Sequence, residues 1–296
     1  MNKKVIPLVV VAAVLLGVLY WVFGMPSVDD PEIATDADSI ARGAYAYNAA
    51  GCGSCHDPEH TGAPIGGYSI ESRLEIAGLP MGGVFHVPNI TPDPETGIGG
   101  WTGGDFLAAV KQGRSPGGGF YWPAFPYRSY KDMTDQDVLD IAAYLMSLAP
   151  VVQERTDHEL PWYQFRWTMA GWNILAPMME GTPAPVSDDP VMQRGAYLAR
   201  VMGHCGECHT PRNSLGMMQY DQEYAGVPDF APEIDAEGLS AYGHEDFVAL
   251  LELGMTANFD YVGGEMAAVI EHTSTLTPED RDAYATFFLR SEAAAE

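Results

Sequence analysis

Positively charged residues are scarce in this chain. Of its 296 residues, 15 are lysine or arginine and 40 are aspartate or glutamate, which gives a formal net charge of −25. Such a charge disfavours nucleic acid and anionic surfaces as partners, and it favours either basic partners or a solvated acidic coat. Hydrophobic residues make up 47% of the chain, which indicates a globular protein rather than a disordered one.

The sequence also lacks the patterns of several common enzyme classes. It contains no nucleophile triad, phosphate-binding loop or pair of carboxylates with a recognisable spacing, and it has only four cysteines. All four lie in two copies of one short pattern, GCGSCHDP at 51–58 and GHCGECHTP at 203–211. These two motifs are therefore the strongest indication of function.

A CxxC pair can bind zinc, act as a redox dithiol or form a disulfide. Zinc would need the four thiolates together, but the motifs begin at positions 52 and 205, 153 residues apart, and each has its own histidine. CxxCH is the pattern of covalent haem c attachment, in which two thioethers hold the porphyrin and the histidine binds iron. We therefore predict two covalent haems c (iron). Their attaching residues are Cys52, Cys55 and His56 for the first haem, and Cys205, Cys208 and His209 for the second.

The two halves of the chain resemble each other beyond these motifs. The matching segments are ARGAYAYNAAGCGSCH (41–56) with QRGAYLARVMGHCGECH (193–209), DFLAAVKQG (105–113) with DFVALLELG (246–254), and MTDQDVLDIAAYLMSL (133–148) with LTPEDRDAYATFFLRS (276–291). The first pair differs by one residue inserted at His204. Thr134 and Thr277 have the pattern of helix N-caps, preceded by the staple residues Met133 and Leu276. Each half is therefore predicted to be mostly α, with an entry helix, a wrapping loop, a middle helix and a closing helix, and with weak strand signals.

An uncharged, mostly apolar run covers residues 5–25. Its 21 residues would span about 31 Å as a helix, enough for a bilayer core. Lys3 and Lys4 precede the run, so the positive-inside rule places the rest of the chain outside the cytoplasm. The alternative is a signal peptide that is cleaved after export.

The predicted organisation has five segments. They are a cytoplasmic N-terminus (1–4), a transmembrane anchor or uncleaved signal (5–25), a first haem domain (26–150), an aromatic connector (151–186) and a second haem domain (187–296). The connector contains three tryptophans within 160–175, and we expect these aromatic residues to pack the two domains together.

The sixth iron ligand differs between the halves. In the second half, Met266 lies in GGEMAAV before the closing helix, a position from which a thioether can bind haem iron. In the first half the corresponding loop contains Phe125, which cannot bind iron. His86 and Met133 are the alternative candidates, and an open first iron is the third possibility.

Several segments together resemble the c-type cytochrome subunits of membrane-bound alcohol and gluconate dehydrogenases and their diheme relatives. Besides the CxxCH pairs, these segments are PNITPDPETGIGGW (88–101), YWPAFPYRSY (121–130), MTDQDV (133–138) and GHCGECHTPRNSLG (203–216). The resemblance covers nearly all of the chain after the apolar run. It implies tandem duplicated cytochrome c domains of class I type, and it assigns the iron ligands to His56, His209 and Met266.

The same resemblance implies a periplasmic electron carrier. Such proteins take electrons from a partner dehydrogenase and pass them to quinone, or to another cytochrome and an oxidase. Two departures limit this inference: the dehydrogenase subunits have three haem motifs where this chain has two, and their first-domain methionine is replaced here by Phe125.

Two functional hypotheses follow. The first is a diheme electron-transfer protein on the periplasmic side of the bacterial inner membrane, anchored by one N-terminal helix or released after signal cleavage. The second is a haem enzyme, peroxidase-like or sulfur-oxidising, with an open first iron fed by the second haem. For the enzyme, His86 and Arg114 are the available distal acid–base groups.

Overall fold

The structure, a computed structural model, describes residues 29–72, 75–76 and 79–290. Helices dominate this part of the chain. In the first half they are α1 (Ala37–Ala49), α2 (Cys52–His56), α3 (Gly103–Gln112), α4 (Tyr127–Tyr130) and α5 (Asp135–Ser147). The connector contributes α6 (Thr168–Met179). In the second half they are α7 (Pro190–Ala196), α8 (Gly206–His209), α9 (His244–Leu253), α10 (Glu265–Thr273) and α11 (Pro278–Arg290).

Two further helical segments are irregular. Helix α7 continues as a π-helical segment over Tyr197–Met202, and a single 3₁₀ turn covers Tyr220–Gln222. Within residues 29–290, no described helix is long and apolar enough to cross a membrane. The predicted anchor, residues 5–25, lies outside the described residues.

A close helix crossing organises each half. Helix α1 packs on α5, and α7 packs on α11. At the first crossing, a Cβ atom added to Gly43 would lie 1.8 Å from the carbonyl oxygen of Asp140, and at the second, one added to Gly195 would lie 2.0 Å from that of Ala283. Only glycine permits backbones to approach so closely, so the shared Arg-Gly-Ala-Tyr sequence sets the same helix pair in both halves.

The closing helices begin as the sequence predicts. The side chains of Thr134 and Thr277 each accept a hydrogen bond from the backbone N–H three residues later, at 3.0 and 3.2 Å. The preceding residues Met133 and Leu276 are buried, with 2% and 4% of their surfaces exposed. Both predicted N-caps are confirmed, and the staple residues anchor the start of each helix in the core.

Two short antiparallel hairpins interrupt the helical pattern in the first half, although strand signals in the sequence are weak. Strand β1 (Ser69–Ser72) pairs with β4 (Gly83–His86), and β2 (Glu75–Ile76) pairs with β3 (Leu79–Pro80). In the outer hairpin Ile70 lies opposite Phe85. The second half has no named strand among its described residues, so the hairpins distinguish the two wrapping loops.

The halves contact each other through a reciprocal pair of tyrosines. The Tyr45 hydroxyl donates to Asp280 (2.5 Å) and accepts from the backbone N–H of the N-cap residue of α11 (3.2 Å). The Tyr197 hydroxyl donates to Asp137 (2.5 Å) and accepts from the backbone N–H of the N-cap residue of α5 (3.1 Å). Each entry helix therefore caps the closing helix of the opposite half, which fixes the two halves against each other.

The connector packs only part of its aromatic surface. Trp172 donates from Nε1 to the carbonyl of Leu215 in the second half (3.1 Å), and Met169 is buried beside the outer hairpin residue Phe85. Trp162 and Trp167 are 86% and 61% exposed. The expectation that the connector tryptophans pack the halves together is therefore correct for Trp172 and wrong for the other two.

Candidate haem sites

The first CxxCH motif begins where α1 ends. Gly51 has φ 63°, a left-handed conformation that glycine adopts without steric cost, and it turns the chain from α1 into α2. Cys52 and Cys55 are three residues apart on this single helical turn, so they lie on one face of it. Neither thiol forms a disulfide. Burial raises the pKa of Cys52 to about 12 and that of Cys55 to about 11, so both thiols are protonated at neutral pH.

The second motif repeats this arrangement with one change. The residue before its first cysteine is His204, which has φ 39° and so takes the left-handed position that Gly51 occupies in the first motif. The backbone N–H of Cys205 donates to Ala199 (2.9 Å), and Cys208 lies on α8. Burial raises the pKa of Cys205 to about 12 and also raises that of Cys208. Both cysteines are free, as in the first motif.

The two proximal histidines have the same hydrogen-bond partner. Nδ1 of His56 lies 2.9 Å from the carbonyl oxygen of Pro88, and Nδ1 of His209 lies 2.7 Å from that of Pro232. A carbonyl only accepts, so Nδ1 carries the proton in both rings and Nε2 carries the lone pair. A histidine that binds a metal through Nε2 usually donates its other N–H in this way. The tautomer of each imidazole therefore suits an iron ligand.

The wrapping loops return to the histidines at a second point. The backbone N–H of Gly66 donates to the carbonyl of His56, and that of Gly226 donates to the carbonyl of His209, both at 2.8 Å. These glycines have φ 76° and 77°, and a Cβ added to Gly66 would lie 2.3 Å from the carbonyl oxygen of Val87. Each histidine is therefore held through both its backbone and its ring.

The proline acceptors of the two histidines share a sequence pattern that lies outside the repeated segments described above. The two prolines begin PNI (88–90) and PEI (232–234), so Pro-x-Ile is a further element of the internal repeat. It follows the first histidine by 32 residues and the second by 23. Because the two loops differ in length, the Pro-x-Ile elements align only when a gap is introduced.

Burial keeps both imidazoles neutral. It lowers the pKa of His56 to about 4, and it also lowers that of His209, while the proline carbonyls oppose the shift. A neutral imidazole can bind iron at neutral pH without first losing a proton. Each motif thus offers two free thiols on one face and a neutral, oriented imidazole, and this set fits one covalent haem c.

The described residues do not support the zinc alternative. Within residues 29–72, 75–76 and 79–290, no group of three or more His, Cys, Asp or Glu side chains is arranged to hold a metal ion. No such group among these residues joins cysteines of both motifs.

Met266 occupies the second position of α10, two residues after Gly264, which has a positive φ of 61°. The sequence predicts a loop here, whereas the structure has a helix that begins one residue earlier. The Met266 side chain is half-buried. Burial is the main cause of the raised pKa values of Cys55 and Cys208, and the neighbouring Glu265 adds to both. Ligation of the second iron by Met266 stays a prediction.

The predicted alternatives for the first iron are engaged elsewhere. His86 hydrogen-bonds through Nδ1 to Ser69 (3.0 Å) and through Nε2 to Glu159 (3.3 Å), so neither ring nitrogen is available in this conformation. Met133 is 2% exposed and packs in the core below the start of α5. Either would have to change its contacts to bind iron, and both assignments stay predictions.

Phe125 belongs to an aromatic cluster. Its ring centroid lies 5.9 Å from Tyr121, 6.5 Å from Tyr127 and 5.8 Å from Tyr130. Aromatic pairs at such separations stabilise each other beyond the area that they bury. The position at which the resemblance expects a methionine is thus filled by aromatic packing.

Several known proteins are similar to this chain in sequence. The cytochrome c family model matches residues 40–149. A protein of Cereibacter sphaeroides described as diheme cytochrome c-type is 38% identical over 281 residues, which cover 90% of each chain. The chain belongs to the diheme c-type cytochromes. The diheme cytochrome therefore holds two covalent haems c in a mostly helical fold, as the sequence predicts.

Two longer relatives are cytochrome subunits of dehydrogenases. The gluconate 2-dehydrogenase cytochrome c subunit of Pantoea cypripedii is 33% identical over 267 residues, and the alcohol dehydrogenase (quinone) cytochrome c subunit of Gluconacetobacter polyoxogenes is 34% identical over 272 residues. The alignments cover 84% and 85% of the diheme cytochrome, but only 58% and 56% of the relatives. The predicted resemblance to these subunits is confirmed.

Proposed function

We propose that this diheme cytochrome relays electrons from a periplasmic dehydrogenase to the respiratory chain, where another cytochrome, an oxidase or quinone accepts them. The observation that carries the proposal is the repeated proximal site. In both halves a neutral histidine donates from Nδ1 to a proline carbonyl beside two free thiols. When bound, each haem supplies one-electron oxidation and reduction.

The chain's own residues hold and orient these groups. Hydrogen bonds from His56 to Pro88 and from His209 to Pro232 fix each imidazole plane and make the ring a stronger electron donor to the metal. Four cysteines anchor the porphyrins permanently. Such sites suit a carrier that is oxidised and reduced many times without losing its cofactor.

The partner is inferred from the relatives and the charge. Two relatives are named as cytochrome subunits of gluconate and alcohol dehydrogenases, which supports a dehydrogenase as electron donor. The formal charge of −25 supports an encounter with a basic surface. The rate of that encounter should fall as ionic strength rises, because salt screens attraction between exposed charges.

The location and organisation belong to the same proposal. Residues 5–25 would anchor the chain in the inner membrane with residues 1–4 in the cytoplasm, or would act as a signal that is cleaved after export. The periplasmic part would comprise tandem class I-like haem domains, 26–150 and 187–296, joined by the connector 151–186. The helix pairs α1–α5 and α7–α11 support two equivalent domains.

The proposal can be tested on the full chain purified from the membranes of its own organism. Gluconate and ethanol are added in turn to the preparation with its co-purified proteins, and haem reduction is followed by absorbance. We expect one of these substrates to reduce both haems, and reduction to require the co-purified dehydrogenase. A matched preparation of the isolated chain, washed free of partners at high salt, serves as the control.

Two results would contradict the relay. One is a chain that co-purifies with no dehydrogenase and is reduced by none of the substrates. The other is rapid turnover of hydrogen peroxide or thiosulfate by the isolated chain, which indicates an enzyme.

One observation favours that second candidate. Phe125 fills the expected methionine position, and both ring nitrogens of His86 are engaged, so neither residue offers the first iron a distal ligand in this conformation. Arg114, whose guanidinium lies 4.0 Å from the Phe120 ring centroid, would then be the candidate distal cation. Azide or cyanide binding to the first haem would support the enzyme, and its absence would support the relay.

A further inference from the structure

The two haem motifs are joined by one buried aromatic contact. The hydroxyl of Tyr130 donates to the carbonyl of Ala50 (2.7 Å), two residues before Cys52. The Tyr130 ring packs edge-on against the His204 ring, with 5.5 Å between centroids and 76° between planes. His204 directly precedes Cys205. One hydrogen bond and one ring contact thus connect the entrance of the first motif to the entrance of the second.

His204 occupies a backbone conformation that disfavours a side chain. Its φ of 39° matches the φ of 63° at Gly51, the equivalent position in the first motif. For an ordinary L-residue the left-handed region is sterically disfavoured, and such strain persists where the surroundings impose it. A glycine would avoid this cost, so the imidazole at this position has a role that its backbone does not explain.

The surroundings of the pair hold both rings in place. Tyr130 is 5% exposed and lies in the main core cluster. The adjacent Ser129 donates from Oγ to Glu207 (2.8 Å), and Arg212 forms an ion pair with the same carboxylate. Burial lowers the pKa of His204, and Glu207 and the Ala50 carbonyl oppose this shift. Helix α4 of the first half is therefore packed onto the motif of the second.

We propose that Tyr130 and His204 are positioning residues that link the two haem sites, fix the two motifs relative to each other and connect Cys52 to Cys205 for electron exchange. The inference rests on the proposed relay function and deepens it. The exchange moves one electron from a ferrous to a ferric iron, so one haem is oxidised and the other reduced, and no bond or proton moves. Tyr130 remains a protonated phenol throughout, since burial raises its pKa well above the usual value.

The test compares three variants of the full-length diheme protein. Tyr130→Phe keeps the ring and removes the hydrogen bond to Ala50. His204→Gly removes the ring and suits the left-handed backbone. Tyr45→Phe is the matched control, because it removes a hydroxyl between the halves that contacts α11 rather than a haem motif.

Electron exchange is measured by injecting one electron with a soluble ruthenium photoreductant and following the two haems by transient absorbance. Thermal unfolding and the two midpoint potentials are measured on the same samples. We expect Tyr130→Phe and His204→Gly to slow the exchange several-fold and Tyr45→Phe to leave it near the wild-type rate. His204→Gly should unfold near the wild-type temperature, because the relieved backbone strain offsets the lost ring contact.

Other outcomes separate this proposal from the relay itself. If His204→Gly exchanges electrons at the wild-type rate while substrate still reduces both haems through the dehydrogenase, the link is wrong and the relay stands. If Tyr45→Phe slows the exchange as much as the other two, the pair acts only through domain packing and the proposal fails. Should Tyr130→Phe not retain both haems, His204→Gly decides alone. If substrate reduces neither haem of the wild-type protein, the proposed function has failed.

Discussion

The two halves of the diheme cytochrome agree on the proximal side of the haem sites and differ on the distal side. His56 and His209 each donate to a proline carbonyl, and each has its own carbonyl held by a glycine N–H. On the other side, the predicted sixth ligand of the second haem is Met266 on α10, whereas Phe125 of the first half lies in an aromatic cluster. The two halves therefore share the anchoring of the cofactor more closely than the predicted sixth ligand.

This difference follows from what each side must do. The proximal contacts hold the histidine and are required for any haem c of this kind. The distal ligand sets the reduction potential, because axial ligands alone shift haem potentials over about 0.8 V. Two haems with different distal ligands would have different reduction potentials, and this difference would favour electron transfer in one direction.

The largest expected effect is the loss of one haem at a time. Cys52→Ser with Cys55→Ser should leave one covalent haem per chain, and Cys205→Ser with Cys208→Ser should leave the other, because a serine oxygen forms no thioether. Intact-protein mass spectrometry under denaturing conditions counts the bound haems. A double variant that retains two covalent haems would contradict the assignment of its motif.

The next effect tests the shared helix crossing. Gly43→Ala and Gly195→Ala should each destabilise the protein by about 3 kcal/mol, because the new methyl group overlaps a backbone carbonyl that cannot move away cheaply. Gly171→Ala on α6 is the control. It has open space around it and should stabilise the protein by about 0.5–1 kcal/mol. Denaturant unfolding measures all three, and a tolerated alanine at Gly43 or Gly195 would show that the crossing is looser than described.

Substitution of Met266 or of Phe125 tests the predicted difference between the distal sides of the two haems. Met266→Ala should lower the potential of the second haem, because thioether ligation raises it, and should leave the first unchanged. Phe125→Met should affect only the first haem. Redox titration followed by absorbance separates the two haems. A shift in the first potential upon Met266→Ala would mean that the ligands are shared between the halves.

A smaller effect concerns the stability that the closing helix α11 contributes at low pH. Asp280 accepts hydrogen bonds from both Arg194 and Tyr45. Burial raises the pKa of Asp280, but these hydrogen bonds outweigh burial and hold the pKa below its usual value. An aspartate whose pKa is lower in the folded than in the unfolded protein stabilises the fold at pH values above its unfolded pKa of about 3.9. This stability is lost as the pH falls through the folded pKa. Asp280→Asn should therefore be less stable at neutral pH and lose less stability on acidification.

That comparison needs a control on the same helix. Glu279→Gln removes a neighbouring exposed carboxylate from α11. Thermal unfolding at several pH values should then show the wild-type acid dependence in Glu279→Gln and a weaker one in Asp280→Asn. Equal acid dependence in all three proteins would remove Asp280 as the cause.

Much of the fold could be predicted because its signals are local. The CxxCH motifs, the repeated helices and the caps at Thr134 and Thr277 each depend on residues within a few positions of one another. The outer hairpin could not be predicted in this way. Val84 at its end pairs with Glu159 of the connector, a contact that no local pattern encodes.

The residues of the candidate haem sites also divide into those with a local sequence signal and those positioned by long-range contacts. The cysteines and histidines were evident from spacing, whereas the carbonyl acceptors Pro88 and Pro232 lie on loops of different length. The contact between Tyr130 and His204 depends on how the halves dock. Docking is set by surfaces on different elements, so the inserted histidine was visible in the sequence but its partner was not.

The most direct test of the relay is low-temperature EPR of the oxidised full-length protein, with and without azide. We predict two low-spin ferric signals with different g values, both insensitive to azide, and the loss of one of them in Met266→Ala. Such spectra mean that both irons are fully ligated and can only exchange electrons. A high-spin signal from the first haem that azide converts to low spin would contradict the account, because an open iron is the requirement of the enzyme alternative.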